Sequence, residues 1–241
     1  MTSQSQSAST RRGALIVVEG LDRAGKSSQC EMLRDYLSKG GNAVKYIRFP
    51  GSYQVTQYVY HWSNICSDRT TPIGQLIDSY LRGSANQDDH SIHLLFSANR
   101  WELAKSIEQD IASGTTVIVD RYSYSGAVYS AAKGNPTLSL DWAWLPEIGL
   151  PRPDICLFLS IPAEEAAKRG GYGAERYENE TMQTRVRELF RSLFDRQEDI
   201  KVIDAGKSLE AVSVDIQSVV ANCIGRLDAT GPLGTLGPLA K

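Results

Sequence analysis

Five short runs of apolar residues punctuate the chain, at 14–19, 44–49, 116–120, 154–161 and 201–204. Each is nearly continuous in apolar side chains rather than alternating, the pattern of strands covered on both faces of a parallel sheet. Between the runs the spacing switches to a helical period. The clearest helix spans 91–113, where Ile92, Leu95, Phe96, Leu103, Ile107 and Ile111 recur on one face and Gly114 supplies a stop. Shorter helical patterns cover 28–39, 164–169, 182–194 and 209–224. Alternating β and α units predict an α/β fold, a three-layer αβα sandwich around a five-stranded parallel sheet, with ligands at the carboxyl ends of the strands. One domain is expected over 13–225, with a disordered tail over 1–12 and a Gly-, Pro- and Leu-rich tail over 226–241 that carries no readable chemistry. There are no internal repeats.

Composition narrows the classes of function. The chain has 241 residues, 41% apolar and 22% charged, enough for a proper core. A net charge of −2 supplies no bulk basic field for nucleic acid or an anionic membrane, so any phosphate binding must come from locally placed arginines. Cys30, Cys66, Cys156 and Cys223 have no C-x-x-C or metal-ligand spacing and read as free thiols in a reducing compartment. No apolar run approaches a membrane span. The Ser- and Gln-rich start, with Arg11 and Arg12 and no acid, lacks a secretory apolar segment and reads as a disordered tail, a composition that mitochondrial transit peptides share.

One stretch carries explicit chemistry. Gly20-Leu21-Asp22-Arg23-Ala24-Gly25-Lys26-Ser27 follows the first apolar run and precedes the first helix, the strand, G-x-x-x-x-G-K-S, helix order of a phosphate-binding loop. Glycines let the backbone wrap a polyphosphate with its N–H groups inward, and the helix N-terminus adds partial positive charge. Lys26 can reach the outer phosphates, and the Ser27 hydroxyl can hold Mg²⁺. Arg121 follows Asp120 at the end of a strand, where parallel-sheet sites form. Phe96 and Arg100 lie four apart and share a helical face, where in isolation Phe96 reads as a core residue.

Longer blocks then raise a resemblance. The segment 11–29, RRGALIVVEGLDRAGKSSQ, is similar to the start of a eukaryotic, fungal-like thymidylate kinase. The likeness continues through DRTTPIG (68–74), HLLFSANRWE (93–102), DRYSYSG (120–126), GLPRPD (149–154), AAKRG (166–170) and ERYE (175–178), in the family's order and over most of 11–210. It implies a P-loop nucleoside monophosphate kinase-like fold and transfer of the γ-phosphate of ATP to dTMP, giving dTDP and ADP. It also implies a Mg²⁺ cofactor, a homodimer, and a cytoplasmic location with the nucleus as a second compartment.

Further roles come from the resemblance alone. The catalytic set would be Arg23, Lys26, Asp120 and Arg121. Arg23 makes this the type whose catalytic arginine sits in the phosphate loop, and the lid, about 166–180, agrees because 170–175 lacks Lys and Arg. ATP would lie on Gly20, Leu21, Asp22, Arg23, Ala24, Gly25, Lys26, Ser27 and Ser28, with Arg169 stacking on adenine and Lys207 flanking it. The dTMP phosphate would meet Arg69 and Arg121, and its sugar hydroxyl Asp22. Phe96, Arg100, Ser125, Gly126, Tyr129 and Tyr177 would line base and deoxyribose, Tyr129 beneath C2′, with Phe49 as a wall. Ser27 and Asp120 would hold the metal, the latter through water. The acceptor phosphate is already an anion near neutral pH, so no general base is required.

One stretch departs from the family. Between Pro50 and Arg69 the chain carries GSYQVTQYVYHWSNICSD (51–68), where relatives run from Phe-Pro almost directly into an acid-Arg pair. It is either an added loop over the dTMP site or an unspliced in-frame intron. The codons for Gly51-Ser52 can hold a splice donor, those for Ser67-Asp68 an acceptor, and those for Ser63-Asn64 a branch point. Removing seventeen codons' worth of sequence leaves Phe-Pro-Asp-Arg-Thr-Thr-Pro; structureless inserts beside a site are uncommon. A cDNA product that retains the stretch excludes the intron. Among other readings, a deoxynucleoside kinase needs a carboxylate base that this loop replaces with Asp22-Arg23. A GTPase switch needs an Asn-Lys-x-Asp stretch that the chain lacks. A non-catalytic scaffold sits poorly with intact Arg23, Lys26, Ser27, Asp120 and Arg121.

Overall fold

The computed structural model describes residues 11–50, 71–168, 177, 180–197, 199–227 and 231–240. Arg69, Arg169, Cys66, the departing stretch 51–68, most of the expected lid and all but the end of the N-terminal tail lie outside the described residues. Five strands, β1 (Leu15–Gly20), β2 (Val44–Arg48), β3 (Thr116–Asp120), β4 (Ile155–Ser160) and β5 (Ile200–Asp204), form one parallel sheet in the order β2-β3-β1-β4-β5. Every pairing is parallel, so helices must carry the chain back across the faces. The α/β, five-stranded parallel reading holds, with strand bounds within one or two residues of those expected.

The order of strands explains their composition. β1 and β3 lie inside the sheet and are buried at every position. β2 and β5 are edges, and β5 leaves Lys201, Val202 and Asp204 exposed. The expectation that all five runs are covered on both faces fails at these edges, because an outermost strand has a neighbour on one side only. Two cores sandwich the sheet. On one face Leu15, Val17, Val117 and Val119 meet Ile107, Ile111, Val128, Phe190 and Leu193. On the other, Ile16, Val18, Ile118 and Leu157 meet Cys30, Leu33, Leu37, Ile216 and Val220.

The helices that the spacing predicts are present as α1 (Lys26–Lys39), α3 (Asp89–Ala112), α6 (Ala163–Lys168), α7 (Glu180–Phe194) and α8 (Leu209–Arg226). The Asp88 carboxylate accepts from the His90 and Ser91 amides and starts α3 two residues before its expected beginning, while Ser208 Oγ accepts from the Ala211 amide and caps α8 at its expected start. Three helices were not anticipated: α2 (Pro72–Leu81), α4 (Ser123–Ala131) and α5 (Leu140–Trp144). Thr71 caps α2 through the Gly74 amide, with Pro72 at the first helical position. α4 has no side-chain cap of its own. Its N-terminal amides at Tyr122 and Ser125 instead donate to Oε1 of Glu19, reaching across from β1 at 2.8 and 3.0 Å.

Arg12 and the C-terminal segment join the domain more closely than their composition suggests. Arg12 forks onto Asp154 at 2.7 and 2.9 Å, tying the entry to β1 to the entry to β4. In the C-terminal segment, Leu236 is buried and exchanges backbone hydrogen bonds with Gly149 and Leu150, and Trp144 Nε1 donates to Gly237 O at 2.8 Å. The segment over 231–240 is therefore a clasp on the loop before β4. Composition alone reads it as a tail because its anchors, backbone hydrogen bonds and the leucines Leu233, Leu236 and Leu239, follow no helical or strand period.

Candidate active site

The phosphate loop joins β1 to α1 through backbone that few residues tolerate. A Cβ on Gly20 would lie 2.7 Å from the Leu159 carbonyl oxygen of neighbouring β4, so only glycine passes there. Gly25 enters α1 in the left-handed region, φ 87°. Arg23 and Arg121 share that region at φ 65° and 66°, at a cost of about 1–2 kcal/mol each for a residue with a side chain. Two arginines held in a disfavoured conformation at adjacent strand ends are the outliers that functional constraint produces.

Around this loop the charged groups converge. Lys26 is buried and its ammonium donates to the Leu21 carbonyl at 2.7 Å. Burial, with the nearby Arg121 charge, pulls its pKa down to about 8 against the opposing pull of Asp22, Asp120 and Glu19. Ser27 Oγ donates to Oδ2 of Asp120 at 2.6 Å, and Tyr46 donates to the same oxygen at 3.1 Å. Oδ1 of Asp120 is buried and has no hydrogen-bond partner among the described residues. Ser27 and this spare carboxylate oxygen form a hard-oxygen donor set that fits Mg²⁺ or its bound water.

Asp22 is the hub between the phosphate loop and the neighbouring cavity. It pairs with Arg121, accepts from the Tyr129 hydroxyl at 2.9 Å and accepts from Gln183 Nε2 at 2.8 Å. Burial pushes its pKa up, but Arg121 and Lys26 outweigh it and hold the carboxyl below the ordinary range. Arg121 also lies over the Tyr129 ring, 5.3 Å from its centroid. Gln183 Nε2 additionally reaches the Tyr177 carbonyl at 3.1 Å, linking α7 to a residue of the expected lid.

A cavity of about 290 Å³ opens beside this hub. Arg121, Asp22 and Tyr129 line one part, Phe96, Arg100, Ser125 and Gly126 another, and Phe49 and Tyr177 also contribute. Nine of the ten residues assigned to dTMP by resemblance thus share one cavity, and the tenth, Arg69, lies outside the described residues. Lys207, expected beside adenine, ion-pairs with Asp215 of α8 at 2.6 Å in the exposed loop after β5. It does not line this cavity.

Several participants were not picked out from the sequence. Arg48 ends β2, lines the cavity and comes within 3.8 Å of Asp120; its position at a strand end beside Phe49-Pro50 was the available clue. Gln183 is one polar residue of an amphipathic helix, with nothing to set it apart. Glu19 sits alone in an apolar strand, and Glu147 lies in a 3-10 turn (Leu145–Glu147). Both are completely buried; Arg100 forks onto Glu147, while Glu19 caps α4 and burial raises the pKa of its carboxyl.

Comparison with known proteins adds an independent line. A family model described as thymidylate kinase matches residues 66–216, beginning just after most of the departing stretch. The chain is 44% identical over 229 residues to a protein of Danio rerio named thymidylate kinase, covering 95% of this chain and 99% of that one. The Homo sapiens protein of that name is 44% identical over 227 residues, 94% of this chain and 98% of the relative. A solved structure of thymidylate kinase from Candida albicans superposes with a TM-score of 0.78 at 35% identity, over 94% of this chain and 99% of that chain.

Proposed function

The chain belongs to the thymidylate kinase family, and from that premise we propose that its cavity holds dTMP while its phosphate loop holds ATP, the γ-phosphoryl group passing from one to the other. The observation that carries the assignment is the shape of the cavity. An aromatic face and a guanidinium, Phe96 and Arg100, lie along α3, and Arg121 and Asp22 lie beside the phosphate loop. A nucleoside monophosphate laid across it has its base at the first pair and its phosphate next to Lys26.

The acceptor phosphate arrives ionised, so the chain's task is to position two polyanions and offset their repulsion. Arg121 and Arg23 approach from neighbouring strand ends, and bidentate guanidinium suits the equatorial oxygens of a transferring phosphoryl group. Lys26 rests on the Leu21 carbonyl and exchanges that partner for the outer phosphates. The Asp22 carboxylate already gathers donors from Tyr129 and Gln183, and a sugar hydroxyl is a further donor of the same kind. Ser27 and Asp120 would hold Mg²⁺, which when bound neutralises charge on the donor phosphates.

Two further assignments belong to the same reading. α3 exposes Leu94 and Trp101, 47% and 44% exposed and seven residues apart, and α2 exposes Leu76. Such an apolar face supports pairing of two copies. Cys30, Cys156 and Cys223 are free thiols, which suits a reducing, cytoplasmic setting. Among the described residues no helix is long and apolar enough to cross a membrane.

The test is ADP release coupled to a spectroscopic readout, with ATP, magnesium and one of dTMP, dUMP, dCMP, thymidine or AMP. Turnover is expected with dTMP foremost. A protein that leaves dTMP unphosphorylated, with or without residues 51–67, refutes the reading.

A further inference from the structure

Among the described residues four arginines line the cavity, and one of them differs from the rest. Arg82 is exposed and pairs along its own helix with Asp78, Arg48 is partly exposed, and Arg121 serves the phosphate loop. Arg100 is only 3% exposed and forks onto Glu147, itself 0% exposed, with Nε to Oε2 at 2.7 Å and Nη2 to Oε1 at 2.6 Å. Its other flank is pressed on the backbone of α4. A Cβ at Gly126 would fall 2.6 and 2.8 Å from the two terminal nitrogens.

The carboxylate is held as firmly as the arginine. Ser97 Oγ and Trp101 Nε1 donate to the Pro146 carbonyl at 3.2 and 2.8 Å, so the helix that carries Arg100 also grips the residue before Glu147. The Leu150 amide donates to the Glu147 carbonyl at 3.2 Å, and Leu150 is clasped by Leu236 of the C-terminal segment. Nothing about phosphate binding requires this construction. A buried guanidinium without a carboxylate is an anion site, whereas a forked pair is neutral and still offers its remaining N–H groups.

We infer that Glu147 is the positioning residue that turns Arg100 from a phosphate ligand into a reader of the nucleobase, and so sets which end of the cavity takes the base. Resting on the assignment of the cavity to dTMP, the pair presents fixed donors without net charge to a pyrimidine edge. That edge must accept hydrogen bonds, as the ring-position-4 carbonyl of thymine does. Cytosine offers an amine at that position, which would meet donor with donor.

Glu147→Gln tests the role, because the amide keeps the shape but replaces one acceptor with a donor and frees the guanidinium. The expected result is a KM for dTMP raised about tenfold, the scale of one lost charge-assisted hydrogen bond, with kcat within about twofold. The preference for dTMP over dCMP should narrow by a similar factor, and inorganic phosphate should compete with dTMP more strongly than in the wild type. A purely structural Glu147 would lower the melting temperature and leave KM and base preference where they were, and that result in folded Glu147→Gln overturns the inference. Should this variant fail to fold, Glu147→Asp decides. It retains the charge but retracts the carboxylate by one methylene, and an unaltered dTMP KM and base preference overturn the inference equally. Wild-type protein inactive towards dTMP would instead sink the functional assignment beneath it.

Discussion

Lys26 offers the most quantitative prediction. Its ammonium is buried in the phosphate loop, and its pKa is lowered from 10.5 to about 8, first by burial and then by the Arg121 charge. At pH 8.5 simple titration leaves about three quarters of the free protein with a neutral lysine. A polyphosphate on the loop brings several negative charges into ion-pair range and restores the ordinary pKa. Nucleotide binding should therefore take up about 0.7 proton at pH 8.5 and only about 0.1 at pH 7. Titration calorimetry with ADP, repeated in buffers of different ionisation enthalpy, reads this uptake as the slope of observed heat against buffer heat. His93 is pulled by burial to about 4, and Tyr46, Tyr122 and Tyr129 are driven well up, so none of these competes in that range. Lys26→Gln should abolish the slope; a flat wild-type slope, or an equal slope in Lys26→Gln, refutes the reasoning. The same shift has a sign in stability. Between about pH 8 and 10.5 the unfolded chain binds the proton and the folded one does not, so the free protein should gain stability as pH rises through that window, by on the order of 3 kcal/mol.

Three other outcomes follow from separate parts of the structure. Arg23→Ala should cut kcat by about a hundredfold or more and change dTMP affinity little, as steady-state kinetics and equilibrium binding together would reveal, because its charge is needed most as the phosphoryl group moves. Glu19→Ala strands the buried amides of Tyr122 and Ser125 and should lower the unfolding free energy by about 2 kcal/mol or more in a urea titration. An unchanged midpoint would show that α4 does not depend on its borrowed cap. Leu236→Ala should cost about 2–4 kcal/mol by the same measurement if the C-terminal clasp is part of the core, and next to nothing if it is a loose tail.

The parallel sheet was legible because β1 and β3 are buried on both faces, which demands unbroken apolar runs and leaves a periodicity that nothing else imitates. The phosphate loop was legible because its constraints are local: Gly20 must pass Leu159, and Gly25 must turn left-handed into α1. α4 was not legible. It is short, contains Gly126 and has no cap of its own, and it exists because Glu19 reaches over from another strand. Phe96 and Arg100 were placed on one helical face by spacing alone, yet the same spacing says nothing of Glu147, forty-seven positions away.

The linear order of residues therefore determined what depends on neighbours along the backbone: the strands of one sheet, the helices between them, and a glycine-rich loop built to wrap phosphate. Tertiary structure decided the rest. Charges scattered along the chain can lie buried only where folding brings their partners to them, since an unpaired buried charge costs far more than the pair that replaces it. Which arginine answers to Asp22, which to Glu147, and which is left to face a phosphate is a matter of that pairing in space.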